Sequence, residues 1–286
     1  MSTYCIYSNQ MTLDPSIEHI IPLSLGGHDD FAINVDRRCN SDIGSRIDGR
    51  MANDFLMLFD RDEAFALGHS KKHPHPIVKS ATLCDGTPAQ VTFGGKTGLE
   101  VFNLKEKRIL DRSDSLGGTI NLNNIKIDID IDIMFVAKVA LAAGYFSYHD
   151  HFRNHVDHSE FREIMNLNKR DLPSNSKALG YNRFCQPDDK DIFHHTVKII
   201  TEMHNCSTVI MFPSQERFRV AVALLGRFLG FISAPSESKS LPNDNEYRHG
   251  HCIYLLDGEV KQCSFEHILK KTAEVIEEYK NYHKTL

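Results

Sequence analysis

The sequence predicts an α+β protein: a compact strand–loop–strand–helix unit at the N-terminus, then a larger α+β region with antiparallel sheet. Three observations predict it. Residues 16–23 are apolar and β-branched around an acid–histidine pair, and from Arg38 onward Ile43, Ile47, Met51 and Phe55 recur every four residues. Short β-like runs such as Val91-Thr92-Phe93 and Glu100-Val101-Phe102, separated by glycine pairs and turns, fill residues 77–110. Strand-like and helix-like segments then alternate up to a closing amphipathic helix over 265–282.

The N-terminal unit is read element by element. Glu18 and His19 are neighbours on the first strand, so they point to opposite faces unless the strand bends or ends there. Pro22 argues for an early end. Leu25-Gly26-Gly27-His28-Asp29-Asp30 is a loop, and residues 32–36 form a short second strand. The helix follows from Arg38, with Asn40 in its first turn facing back toward the strands.

These residue types suit one chemistry. Phosphodiester hydrolysis needs an activated water, a cation on the phosphate and help for the leaving oxygen. A histidine titrating near neutrality can take the proton. A hard ion prefers oxygen donors, which a carboxylate (Glu18) and an amide (Asn40) provide.

The pattern Glu18-His19-Ile20-Ile21-Pro22, Leu25-Gly26-Gly27, Asn34, Cys39-Asn40 and Gly44 resembles the HNH endonuclease family with its ββα-metal fold. The likeness covers roughly residues 3–55. It implies that His19 is the general base, that Glu18 and Asn40 hold one Mg²⁺ or Mn²⁺ ion, and that Asn34 fixes the loop and orients His19. Many relatives add two Cys-x-x-Cys pairs that bind zinc. Here Cys5 and Cys39 remain, but Ser8 and Asp36 stand at the partner positions. A tetrahedral site needs four good ligands, so no structural zinc is expected, and the two cysteines read as small buried side chains.

The 286 residues carry a formal net charge of −5, which disfavours a general nucleic-acid binder. Local basic groups are present, however. Arg37, Arg38, Arg46 and Arg50 lie beside the motif, and Lys71 and Lys72 begin a run that continues through Lys79, Lys96, Lys105, Lys107, Arg108 and Arg112. Arg37, Arg38, Arg46, Lys71 and Lys72 are the candidate phosphate contacts. Seven cysteines without paired spacing point to free thiols, and with no signal-like or membrane-length apolar run the expected location is cytoplasmic.

Three domains are expected: 1–60, the nuclease module; 61–170, a β-rich segment plus a helical one; and 171–286, an α+β domain of unassigned role. Residues 124–133 alternate isoleucine with lysine and aspartate and read as a strand whose acidic face is solvated or, less readily, binds a cation. Asp132 is alternatively a cap for the next helix, over 134–148, which is too apolar for a free surface. His151 and His155, with His158, have metal-ligand spacing on a helix, but a polar helix end is the favoured reading. A short helix is expected over 159–166, capped by Ser159 with Arg162 and Glu163 outward. Residues 168–191 read as a loop-rich boundary. Residues 218–232 are one bent strand or two paired strands, and 252–256 is a strand before an Asp257-Gly258 turn. The closing helix turns Ile268, Leu269, Ala273, Ile276 and Tyr279 inward.

The function expected is metal-dependent cutting of DNA, with RNA as the alternative substrate and a silent binding or regulatory subunit as the alternative class. No membrane partner is expected. A monomer would nick; double-strand cutting needs a homodimer or two events. Control by a partner protein, as in antiviral defence against phage, would suit the acidic charge.

Overall fold

The computed structural model describes residues 2–68, 71–94, 98–111, 118–167, 176–185, 192–214, 216–237 and 250–284. It divides into two compact units, one made of 1–51 with 129–286, the other of 52–128. This division differs from the three consecutive segments expected. Residues 129–155 group with the N-terminal module, not with the β-rich segment, because that helix is buried between the module and a sheet.

In the first unit, β1 (Thr3–Cys5) and β2 (Gln10–Thr12) form a hairpin. β3 (Pro15–His19) pairs antiparallel with β4 (Ala32–Asp36), placing Ile17 opposite Asn34 and His19 opposite Ala32. α1 (Arg37–Ile43) starts at Asp36, whose carboxylate accepts the Arg38 and Cys39 amides as an N-cap. The chain continues through one π-helical turn (Gly44–Asp48) into α2 (Gly49–Ala52). Ile43, Ile47 and Met51 are buried along one side, as their spacing predicts. Phe55 belongs instead to a separate helix, because Asp54 caps a new start there.

α4 (Ile129–His155) is buried almost without interruption from Ile131 to Gly144. On one side it meets the module: Tyr145 packs on Tyr4 and Phe146 on Phe31. On the other it meets a six-stranded antiparallel sheet, through Tyr148 and Phe152 against Phe218. The strands are β10 (Leu179–Asn182), β11 (Ser207–Pro213), β12 (Arg217–Leu224), β13 (Arg227–Pro235), β14 (His251–Leu256) and β15 (Glu259–Ser264), in the order 10-13-12-11-14-15. The far face packs on α6 (Ile192–Met203) and α7 (Phe265–Lys284), with Val197, Ile200, Ile210, Phe212, Phe265 and Ile268 in one core. Both faces are covered, so β11 to β13 read as nearly continuous apolar runs.

Several expectations are corrected. Residues 124–133 form no strand: α4 starts at Ile129, and Asp132 is a fully buried first-turn residue paired with Arg183 at 2.8 Å. Of the two readings given for residues 218–232, the paired one holds: β12 and β13 turn at Leu225-Gly226. α5 (Ser159–Met165) is preceded by His158, not capped by Ser159, and Arg162 turns inward to donate to the Ile6 carbonyl. On α7, Thr272 is buried and Ala273 exposed. The Tyr279 side chain and most of the 168–191 boundary lie outside the described residues, as do Lys96 and Arg112.

The second unit, 52–128, holds α3 (Phe55–Glu63) and a five-stranded antiparallel sheet in the order β8-β7-β6-β5-β9. Its strands are β5 (Ile77–Leu83), β6 (Pro88–Phe93), β7 (Leu99–Asn103), β8 (Arg108–Ile109) and β9 (Ile120–Leu122), which matches the small antiparallel sheet expected over 77–110. Phe55 and Phe59 of α3 pack on Phe93 of β6. No described helix is long and apolar enough to cross a membrane.

Candidate active site

His19 is the last residue of β3. Its Nε2 lies 2.8 Å from Oδ1 of Asp29, in the loop between β3 and β4. The imidazole is a quarter exposed and the Asp29 carboxylate largely exposed. Alternation places Ile17 and His19 on one face of the hairpin, with Ala32 and Asn34 beside them. Asn34 is exposed there and makes no side-chain hydrogen bond to His19.

Glu18 faces the other way and is buried. Its Oε1 lies 2.6 Å from Nζ of Lys138, the one charged side chain amid the apolar part of α4, and accepts a 3.4 Å hydrogen bond from the Tyr7 hydroxyl. Neither contact engages Oε2. Lys138 is fully buried, donates to the carbonyls of His19 and Ile20 at 2.9 and 3.1 Å, and lies 3.2 Å from Asp48. Burial alone would push the Lys138 pKa down, but the charges of Asp48 and Glu18 outweigh it and raise it. Burial lifts Asp48 to about 6 against the pull of Lys138, and burial with the Glu18 charge lifts Tyr7 well above its usual value.

Asn40 ties α1 to β3. Its Nδ2 donates to the Ile17 carbonyl at 2.7 Å and to Ser16 Oγ at 3.0 Å. With the nitrogen so placed, the amide oxygen is left as an acceptor. Oε2 of Glu18 and Oδ1 of Asn40 are hard donors of the kind a divalent ion takes, so the residues fit such an ion in chemistry. They do not fit structural zinc. Both oxygens of Asp36 are committed, to Thr12 and to the Arg38 and Cys39 amides. Burial and the neighbouring Cys5 push the Cys39 thiol up to about 11. Cys5 is buried and Cys39 half-buried.

The arginines divide. Arg37 is exposed and pairs with Asp14 at 2.9 Å. Arg38 is exposed beside it. Arg46 donates to Asp42, the Met165 carbonyl and Asn166, linking the π-helical turn to α5. Lys71 and Lys72 are exposed but belong to the other unit. The histidines after α4's apolar stretch are not drawn together. His149 breaks the helix geometry (φ 46°, ψ −124°), His151 and His155 stack, and buried His158 has its pKa lowered to about 4 by burial and nearby Arg162. They form no metal-holding group among the described residues.

Sequence reasoning missed Asp29, Asp48 and Lys138. Asp29 lies in a His-Asp-Asp triplet that read only as loop. Lys138 carried a signal: a lone charge in an apolar helix must find carboxylate partners.

A two-stranded hairpin with a helix across it, a histidine at the strand end and an amide on the helix define a ββα nuclease-type module. Residues 3–56 match the HNH endonuclease family, so the N-terminal module is an HNH-family domain and nucleic acid is its substrate class. Neither the curated proteins nor the solved structures compared with the chain gave a match.

Proposed function

We propose that the protein is a divalent-metal-dependent endonuclease that nicks DNA at this site. What supports the reading is three groups carried on or tied to one strand end, His19 on its open face and Glu18 on its buried one. His19 closes β3, Glu18 precedes it, and Asn40 is hydrogen-bonded to the carbonyl of Ile17. Asp29 accepts from His19 Nε2–H, which leaves Nδ1 as the proton acceptor. His19 takes a proton from water as its oxygen attacks phosphorus, the bond to the 3′ oxygen breaks, and that oxygen is protonated from solvent. Asp29 stabilises the imidazolium. Asn34 borders the same face. Glu18 and Asn40 would hold Mg²⁺ or Mn²⁺, which supplies charge stabilisation at the phosphate. Arg37 and Arg38 would contact phosphates beside the site.

The test uses supercoiled plasmid and a structured RNA, with wild type and His19→Ala, in EDTA, Mg²⁺ and Mn²⁺. Metal-dependent nicking should fall about 10²–10⁴-fold in the variant. Linear product would mean two modules acting together. Cleavage of RNA alone would overturn the choice of DNA, and no cleavage of either by folded protein would overturn the enzyme reading.

One observation favours the second reading, a silent or restrained module: Lys138 already neutralises Glu18. A net charge of −5 supports restraint also. Restraint released by a partner protein would suit antiviral defence; phage plaque counts on cells carrying wild type or His19→Ala test this. Seven free thiols support a cytoplasmic location.

A further inference from the structure

We propose that Asp62, His73 and His75 form a second metal site, for Zn²⁺ or a similar borderline transition ion, inside the 52–128 unit. It is independent of the nuclease reading.

The sequence builds the site. Residues 73–76 read His-Pro-His-Pro. Each histidine precedes a proline, which holds it extended. Residues two apart on an extended chain point the same way. The two rings accordingly stack at 4.7 Å between centroids, 24° apart. Asp62 reaches them from the last turn of α3. Nδ1 of His73 lies 2.7 Å from Asp62 Oδ1, and Nδ1 of His75 lies 3.2 Å from the same oxygen.

Those distances are short, yet neither Nδ1 makes an aligned hydrogen bond, and both atoms are buried. Buried polar atoms without partners are rare and costly. Two ring nitrogens converging on one carboxylate oxygen, with neither bonded, is what an ion would resolve. The three donor atoms lie within 4.8 Å of one another. A tetrahedral ion with bonds of about 2.0–2.2 Å holds its donors roughly 3.4 Å apart, inside that span. Two imidazoles and one carboxylate suit zinc over magnesium. Three protein ligands leave one position, which faces an open cavity of about 670 Å³ lined by Phe59, Glu63, Phe65 and Gly94. Water completes the set there. Gly94 (φ +101°) keeps the approach clear: a Cβ would collide with the Asp62 carboxylate and His75.

The unit has a reason to need an ion. Its sheet core is a small cluster of Ala81, Ala89, Val91 and Val101, with Leu83, Phe93, Leu110 and Ile120 half-buried against it. Domains below about 80 residues rarely stand on one small core and use metals or disulfides as staples. No disulfide is present, since all seven cysteines are free. The ion would join α3 to the segment entering β5.

The experiment titrates Zn²⁺ into metal-stripped full-length protein with excess Mg²⁺ present to fill the Glu18–Asn40 site, by calorimetry and elemental analysis. Wild type and Glu18→Gln should bind one equivalent at this site. His73→Ala/His75→Ala should lose it, and Asp62→Asn, close in shape, should weaken it by more than the roughly 10–100-fold cost of losing a group that only orients a ligand. In wild type, Zn²⁺ at about 100-fold over Kd should raise a melting transition by roughly 10 °C, while Mg²⁺ does not. Should the histidine variant misfold, Asp62→Asn decides. Wild type that binds no Zn²⁺, binding unchanged in Asp62→Asn, or binding lost in Glu18→Gln would overturn the proposal.

Discussion

The module and the six-stranded sheet share α4, and only one of the two contacts adds a buried charge to its apolar packing. Against the sheet, α4 presents rings and aliphatic chains to an apolar face. Against the module it adds to the Tyr145 and Phe146 rings a buried ammonium facing two carboxylates and two carbonyls. Apolar packing is tolerant of shape and cheap to keep dry. A buried ion cluster is neither, since its desolvation cost is offset only while every partner stays in place. The module therefore gains little net stability from Lys138 and much dependence on it.

The sharpest way to break this contrast is Lys138→Ala. It leaves Glu18 and Asp48 buried without their cation and should cost about 3–5 kcal/mol in urea denaturation. A cost near that of an ordinary surface substitution would show the cluster to be hydrated and the contrast false.

Next in size is Ser207→Ala, at the polar stitch between sheet and module. Ser207 Oγ donates to the Leu25 carbonyl and accepts the Leu225 amide, each at 3.0 Å, in a buried setting. The loss should be about 1–3 kcal/mol by the same measurement.

The pH dependence should separate two buried groups by sign. Asp48 has its pKa raised to about 6, so between about pH 4 and 6 the folded chain holds a proton the unfolded chain has released. Its contribution falls as pH rises through that window. His158 is lowered to about 4, so the unfolded chain binds the extra proton, and its contribution is lost as pH falls from about 6.5 to 4. Stability difference curves for Asp48→Asn and His158→Gln should slope oppositely, by at most about 1.4 kcal/mol per pH unit. Equal slopes would reject the assignment.

Two smaller effects remain. Asp29→Asn should lower kcat about 10-fold with KM unchanged, as fits a group that positions the base. Asp54→Ala, at the α3 cap, should cost about 1 kcal/mol and leave the module's own chemistry intact.

The same contrast explains what was legible. The module could be read because its chemistry is local: Glu18, His19, Asn34 and Asn40 follow one another within a short hairpin and helix. What holds it was not, because Lys138 lies 119 residues beyond His19. The alternation over 124–133 misled for a related reason. Burial of Ile131 and the Asp132–Arg183 pair make its second half the first turns of a helix, and tertiary packing overrides local pattern. The tie from Arg46 to the Met165 carbonyl and Asn166 was not legible either, since no local pattern couples it to that helix. The five-stranded sheet was readable from its turns, but Asp62 with His73 and His75 was not, because one residue comes from a helix and two from the extended segment before β5.

The discontinuous first unit has a consequence for the protein's birth. A ribosome adding about 5–20 residues per second emits Lys138 on the order of ten seconds after His19. During that interval Glu18 has no ammonium beside it and the carbonyls of His19 and Ile20 lack their donor. The hairpin is made first and completed late, so its buried ion cluster closes only once a residue 119 positions further along has emerged.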